Sequence, residues 1–260
     1  MNEPIDFDGV VLEVRTNDPE RLADRAWQLQ ALGLEEQGEL LLVTFAGREA
    51  ALRAAGQLQA DGADVSVREQ PAPDWVANWR THARPTVEPP FEIHPPWLAS
   101  QGEQLAVVID PGPTFGHGGH PTTRLMLRAM APLIEPGVSV LDVGCGSGVL
   151  AIAAARLEAE VTAIDIDPAA VAVTAENAAA NGVTVAVTNT PLAAIATSFD
   201  LVLVNVLGAT MTELAPDLRR VARRHLLVSG LLSGQHVPGL DDLEVTDEED
   251  GWVVADLRFV

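Results

Sequence analysis

The chain contains no lysine and no tyrosine, and aromatic residues make up only 4% of it. All of its positive charge is arginine, 16 residues against 37 acids, for a formal net charge of -21. Such a surface repels a phosphate backbone, so nucleic acid is not an expected partner. It attracts basic proteins, and it also keeps a protein soluble. A single cysteine, Cys145, excludes an intrachain disulfide and suits a reducing compartment. No base stands at a telling distance from it, so it reads as a small buried hydrophobe rather than a nucleophile. No apolar run approaches the ~20 residues of a membrane span. The opening MNEPIDFDGV has neither a basic leader nor an apolar stretch. A soluble, cytoplasmic, monomeric protein is the expectation. His117 and His120 lie three apart, but with one cysteine and no matching carboxylate pair no metal site is expected.

The 260 residues leave room for one large domain and one small one. Residues 1–68 read as strand, helix, strand, strand, helix, strand, the order of a ferredoxin-like α+β domain. The first helix opens at Asp18-Pro19-Glu20 and the second ends near Asp61-Gly62. The domain carries no evident chemistry; it either packs or holds a substrate. Residues 69–104 are punctuated by prolines 71, 73, 85, 89, 90, 95 and 96 and read as a linker with short elements. Trp75 and Trp79 share one face of a short helix there, which either packs onto a domain or works as a hinge. Residues 105–260 alternate strand and helix, the pattern of an α/β fold with a mostly parallel sheet. The last two strands, 243–246 and 253–259, are separated only by a glycine turn and predict an antiparallel hairpin at the sheet edge.

The most informative stretch is VLDVGCGSGVLAI, residues 140–152, followed by VTAIDID, residues 161–167. A strand, a glycine turn and a helix start succeed one another, and the next strand ends on Asp165. A dehydrogenase would use G-x-G-x-x-G to seat a diphosphate on the helix. Here the glycines are 144, 146 and 148, and Asp142 stands just before them, a poor neighbour for phosphate. A ribose-bearing ligand with a positive charge and no phosphate fits better, and S-adenosylmethionine is such a ligand. The pattern D-x-G-x-G-x-G with Asp165 ending the next strand is similar to the cofactor site of class I methyltransferases.

Two further motifs flank this unit. DPGPTFGHGGHPTTRLML, residues 110–127, places three glycines around Phe115 and His117 and then starts a helix at Pro121. The loop could fold over a ligand as a lid; Thr122 and Thr123 are either helix caps or ligand contacts. FDLVLVNVLGATMTELAPDLRR, residues 199–220, ends a strand on Asn205, beside the crevice where open α/β sheets bind ligands. Asn205 could orient an amine or simply make a turn. The absence of N/D-P-P-Y/F at this strand end argues against a DNA or glutamine methyltransferase.

In this order the three motifs resemble the bacterial ribosomal protein L-eleven methyltransferases, whose pattern runs P-G-x-A-F-G-T-G-x-H-x-T-T, L-D-x-G-C-G-S-G-x-L-A-I-A and N-I-L-A. DPAAVAVTAENAAANGV, residues 167–183, resembles the helix that follows the acidic strand end in that family. The resemblance implies a class I methyltransferase with a small N-terminal domain that recognises the ribosomal protein. It implies methylation of Lys side chains and the N-terminal α-amine with S-adenosylmethionine. Carried onto this chain, Thr123, Gly144, Asp165 and Asn205 would be cofactor-binding positions. Gly146 and Asp142 of the turn and Phe115 of the loop join them as candidates. Asn205 would also orient the reacting groups, and His120 is a candidate proton acceptor, loss to water being the alternative. The chain departs from the pattern at His117, where the family has Thr, and at Gly119, where a bulkier residue is common. Another substrate, or a module that binds cofactor without catalysis, stays open at this point.

Overall fold

The computed structural model describes residues 9–16, 21–22, 25–26, 29, 31, 33–37, 40–68, 84–100, 102, 104–110, 112, 114 and 116–259. The chain divides into two compact units, Met1–His82 and Ala83–Val260.

In the first unit β1 (Gly9–Arg15), β2 (Gly33–Gln37), β3 (Leu40–Ala46) and β4 (Asp64–Arg68) form one sheet in the order β2-β3-β1-β4. Every pairing in it is antiparallel. Val10, Leu12 and Val14 stand opposite Phe45, Val43 and Leu41, so the period-2 apolar pattern fills one face. Helix α1 (Gly47–Ala60) lays Ala51, Ala54, Ala55 and Leu58 on that face, the spacing of one helical stripe. Between β1 and β2, Arg21, Leu22, Arg25 and Ala26 are helical. Arg25 reaches Asp61 beyond α1 at 2.9 Å. This is the ferredoxin-like order expected from the strand and helix pattern.

The second unit begins with β5 (Thr86–Glu88), β6 (Phe91–His94) and β7 (Leu105–Val108), a three-stranded sheet in that order. Two of these strands are short elements within the stretch expected to be a linker with such elements. The prolines there bound the strands rather than prevent them. Pro89 and Pro90 form the turn from β5 to β6, Pro95 follows β6, and Phe91 and Ile93 bury with Val107 and Ile109. Trp75 and Trp79 lie outside the described residues.

The main sheet has seven strands: β8 (Ser139–Val143), β9 (Glu160–Ile164), β10 (Val185–Thr188), β11 (Phe199–Asn205), β12 (Ala222–Leu232), β13 (Glu244–Glu249) and β14 (Trp252–Arg258). Their order is β10-β9-β8-β11-β12-β14-β13, with β14 antiparallel to both neighbours and the first five strands parallel. The expected edge hairpin is therefore present. Helices α2 (Pro121–Met130), α3 (Val149–Arg156), α4 (Pro168–Ala180) and α5 (Gly208–Val221) complete the unit. Along central β11, Leu201 and Leu203 join the core under α2 and α3, while Val202 and Val204 join the core under α5. A strand buried on both faces needs this unbroken apolar run. Glu88 of β5 ion-pairs with both Arg124 and Arg128 of α2, and Arg128 also holds Glu249 of β13 at 2.7 Å. These pairs fix α2 between the small sheet and the edge of the large one. Among the described residues no helix is long and apolar enough to cross a membrane.

Candidate active site

Strand order reverses between β8 and β11, and in open α/β sheets the crevice at such a switch point binds ligands. The turn leaving β8 occupies that crevice. Gly144 and Gly148 have φ of 74° and 81°, a region that side chains avoid. Space forbids a side chain as well: a Cβ on Gly144 would stand 2.8 Å from Val206, and one on Gly148 2.7 Å from Thr174. The turn must therefore be glycine to lie this close to the β11 end and to α4.

Asp165 follows β9 directly. Its Oδ2 accepts the Gly146 N–H at 3.0 Å and its Oδ1 accepts the Asp167 N–H at 3.0 Å. An ionised carboxylate has about four lone-pair sites, so each oxygen can still accept from a ligand hydroxyl. Ile166, 86% exposed, follows the end of β9, and Leu207, 66% exposed, follows the end of β11, the two strands that flank β8. Asn205 ends β11 in register with Ser229 of β12 and is partly exposed.

Asp142 lies beneath the turn rather than on its surface, at 2% exposure. Its Oδ2 accepts the Ala151 N–H at 3.1 Å and so caps α3, whose own N-cap residue, Gly148, has no side chain to do so. Burial, with the Asp165 carboxylate adding to it, pushes the Asp142 carboxyl up to about 7. A folded-state value above the unfolded one means the native state keeps a proton that the unfolded chain has lost. Stability then falls as pH rises from about 4 to about 7, by roughly 4 kcal/mol for a rise of that size. Asp142→Asn should match the wild type in thermal stability below pH 4 and exceed it increasingly up to pH 8. A difference independent of pH in melting scans would contradict this titration. The Cys145 thiol, buried beside it, is pushed up to about 12, chiefly by desolvation, which leaves it protonated and unreactive.

The N-terminus of α2 forms the other wall. His120 is its N-cap, and its Nδ1 accepts the Thr122 N–H at 3.3 Å. A nitrogen that accepts from a backbone N–H carries no proton, so in the neutral ring Nε2 does. The His120 ring also meets Trp252 edge-on at 5.4 Å, and burial together with His117 lowers its pKa. Thr123 is fully buried, and its Oγ1 has no hydrogen-bond partner. An orphaned hydroxyl in such a place is a position for a ligand polar group. The loop before α2 is tied to the glycine turn, because Ser147 Oγ donates to the Gly116 carbonyl at 2.6 Å. Among the described residues no group of three His, Cys, Asp or Glu could hold a metal ion.

The family model described as Ribosomal protein L11 methyltransferase (PrmA) matches residues 12–254. The chain belongs to that family. A relative in Symbiobacterium thermophilum named Ribosomal protein L11 methyltransferase is 35% identical over 252 residues, covering 91% of this chain and 80% of its own. One of the same name in Geobacter sulfurreducens is 46% identical over 170 residues, covering 62% of this chain; the match spans 55% of the Geobacter protein. The crystal structure of the ribosomal protein L11 methylase from Lactobacillus delbrueckii subsp. bulgaricus aligns with a TM-score of 0.59 at 30% identity, over 65% of this chain and 95% of that one.

Within the family frame, Asp142, Gly144, Gly146, Asp165 and Asn205 gather at the carboxyl ends of β8, β9 and β11. Thr123 and His120 stand at the start of α2, and Phe115 lies outside the described residues. The two departures from the family pattern meet in space. A Cβ on Gly119 would come within 3.1 Å of the His117 imidazole, whose Nδ1 accepts the Gly119 N–H at 3.1 Å. A large residue at 117 therefore accompanies a small one at 119. Sequence reasoning missed Ser147, Thr174, Asn177 and Asn181. Thr174 and Asn177 lie on one face of α4 and Asn181, its C-cap, continues that line; two asparagines four apart at the end of an otherwise alanine-rich helix were the available signal.

Proposed function

We propose that the chain is a methyltransferase that uses S-adenosylmethionine to methylate amino groups of ribosomal protein L11, both Lys side chains and the N-terminal α-amine. The observation that carries the reading is the Gly146–Asp165 hydrogen bond, which holds the glycine turn and the acidic strand end in one frame. The residues fit the cofactor. Asp165 can accept both ribose hydroxyls, Ile166 offers an apolar face to a base, and the orphaned Thr123 Oγ1 can meet a polar group of the amino-acid portion. When bound, the cofactor supplies an electrophilic methyl on a sulfonium.

The protein's part is to orient a neutral amine and keep water away. A Lys amine has a pKa near ~10.4 and an α-amine near ~8, so a proton must leave first. A carboxylate facing the amine would hold that proton on. Asn205 presents a neutral carboxamide instead, which can accept from the amine N–H and aim the lone pair while favouring the ammonium far less than a carboxylate would. His120 uses its Nδ1 lone pair at the helix cap, so we assign the departing proton to water. Residues 1–68 read the ribosomal protein, and the acidic chain draws in a basic partner. The enzyme acts as a monomer in the cytoplasm and makes no direct nucleic-acid contact.

Methyl-labelled S-adenosylmethionine, incubated with this protein and unmodified total ribosomal proteins, should label L11 selectively. Label spread over many proteins, or confined to another one, would contradict the assignment.

A further inference from the structure

Helix α4 carries no residue of the catalytic crevice, yet one of its faces bonds both the glycine turn and the chain that leaves β7. Thr174, Asn177 and Asn181 follow one another at i, i+3 and i+7, so they point the same way. Thr174 Oγ1 donates to the Gly146 carbonyl at 3.0 Å. Asn177 Nδ2 donates to the Ser147 carbonyl at 2.9 Å and to the Asp110 carbonyl at 2.9 Å, while its Oδ1 accepts the Asp110 N–H at 3.1 Å. Asn181 pairs in the same two-way fashion with Val108, its Oδ1 accepting at 2.8 Å and its Nδ2 donating at 2.7 Å. The two carboxamides thus grip the chain leaving β7 as a neighbouring strand would. Of the two carboxamides, only that of Asn177 also reaches the glycine turn.

Asn177 is 5% exposed. Burying a carboxamide is costly unless its groups are satisfied, and here both hydrogens and the oxygen are used. Packing alone needs no such group on an alanine-rich helix. Its two carbonyl partners belong to different parts of the site: Asp110 opens the glycine-rich loop, and Ser147 is the centre of the turn. Ser147 also donates to Gly116 further along the loop. Asp110 is therefore held by Asn177 and Gly116 by Ser147, and the Asn177–Ser147 bond joins the two anchors.

We propose that Asn177 is a positioning residue for the cofactor site, its carboxamide setting the glycine-rich loop and the glycine turn at a fixed separation through Asp110 and Ser147. The proposal rests on the reading of this crevice as the cofactor site. Asn177 touches no reacting atom. It acts through Ser147, and its loss lets the two ligand walls part.

The test is calorimetric binding of S-adenosylhomocysteine to the full chain as wild type, Asn177→Ala and Asn181→Ala, with melting temperatures beside it. Both variants lose a two-way carboxamide pairing with the chain around β7, so both should melt earlier. Only Asn177→Ala should weaken binding, by about tenfold, the scale of one hydrogen bond, with Asn181→Ala within about twofold of wild type. Wild-type affinity in Asn177→Ala, or equal weakening in both variants, would overturn the proposal. Should Asn177→Ala not fold, Asn177→Asp, which keeps the oxygen that accepts the Asp110 N–H and loses both donated bonds, should weaken binding likewise; unchanged affinity there would overturn it too. A wild type that binds no S-adenosylhomocysteine would bring down the cofactor reading itself, a result distinct from a variant that binds normally.

Discussion

Asp165→Ala should lose affinity for S-adenosylmethionine by about a hundredfold or more. A hydrogen bond to a charged group contributes roughly 1.5–3 kcal/mol, and two ribose hydroxyls on one carboxylate make that about 3–6 kcal/mol. The substitution also frees the Gly146 N–H, which the Asp165 carboxylate now accepts at 3.0 Å, so the turn loses its tie to the end of β9. Asp165→Asn separates the two contributions, because its single oxygen can keep one backbone bond while the charge is gone. It should fall between wild type and Ala. Equilibrium dialysis or calorimetry on the three proteins reads this directly. An Ala variant that binds within about fivefold of wild type would remove Asp165 from the site.

The second large effect is expected from removing residues 1–82. The division between the units falls at His82/Ala83, and every candidate residue lies beyond it. The second unit has its own cores on both faces of its sheet. The truncated protein should bind S-adenosylmethionine as the full chain does. Its kcat/KM toward L11 should fall by about a thousandfold, which corresponds to losing about 4 kcal/mol of docking to a folded protein. Equal rates with and without the first unit would mean that the crevice alone selects its amine. A loss of cofactor binding would mean instead that the first unit supports the site.

Much of this was legible in the residues, for physical reasons that can be named. Period-2 apolar runs had to be strands, and the run at the end of the chain, with only a glycine turn before it, had to fold back antiparallel. Gly144 and Gly148 sit where a Cβ would strike a neighbour, so the turn is written in the one residue that tolerates it. β5 and β6 were legible only as short elements of a linker, because their prolines, which in space stand at strand ends, hide which elements they are. That Asp142 lies under the turn and caps α3 was not legible, because the need for it comes from Gly148, which has no side chain for the task. Asn177 was invisible for a different reason. Its partners, Asp110 and Ser147, are 67 and 30 residues away, and only the packing of α4 against the turn brings them together.

The most direct measurement is the intact mass of purified, unmodified L11 after incubation with the full chain and S-adenosylmethionine, with Asp165→Ala run beside it. The account predicts mass rising in steps of one methylene for the wild type and little change with the variant. No increase with a wild type shown to bind cofactor would contradict the assignment of L11 as substrate, and an equal increase with the variant would contradict the site.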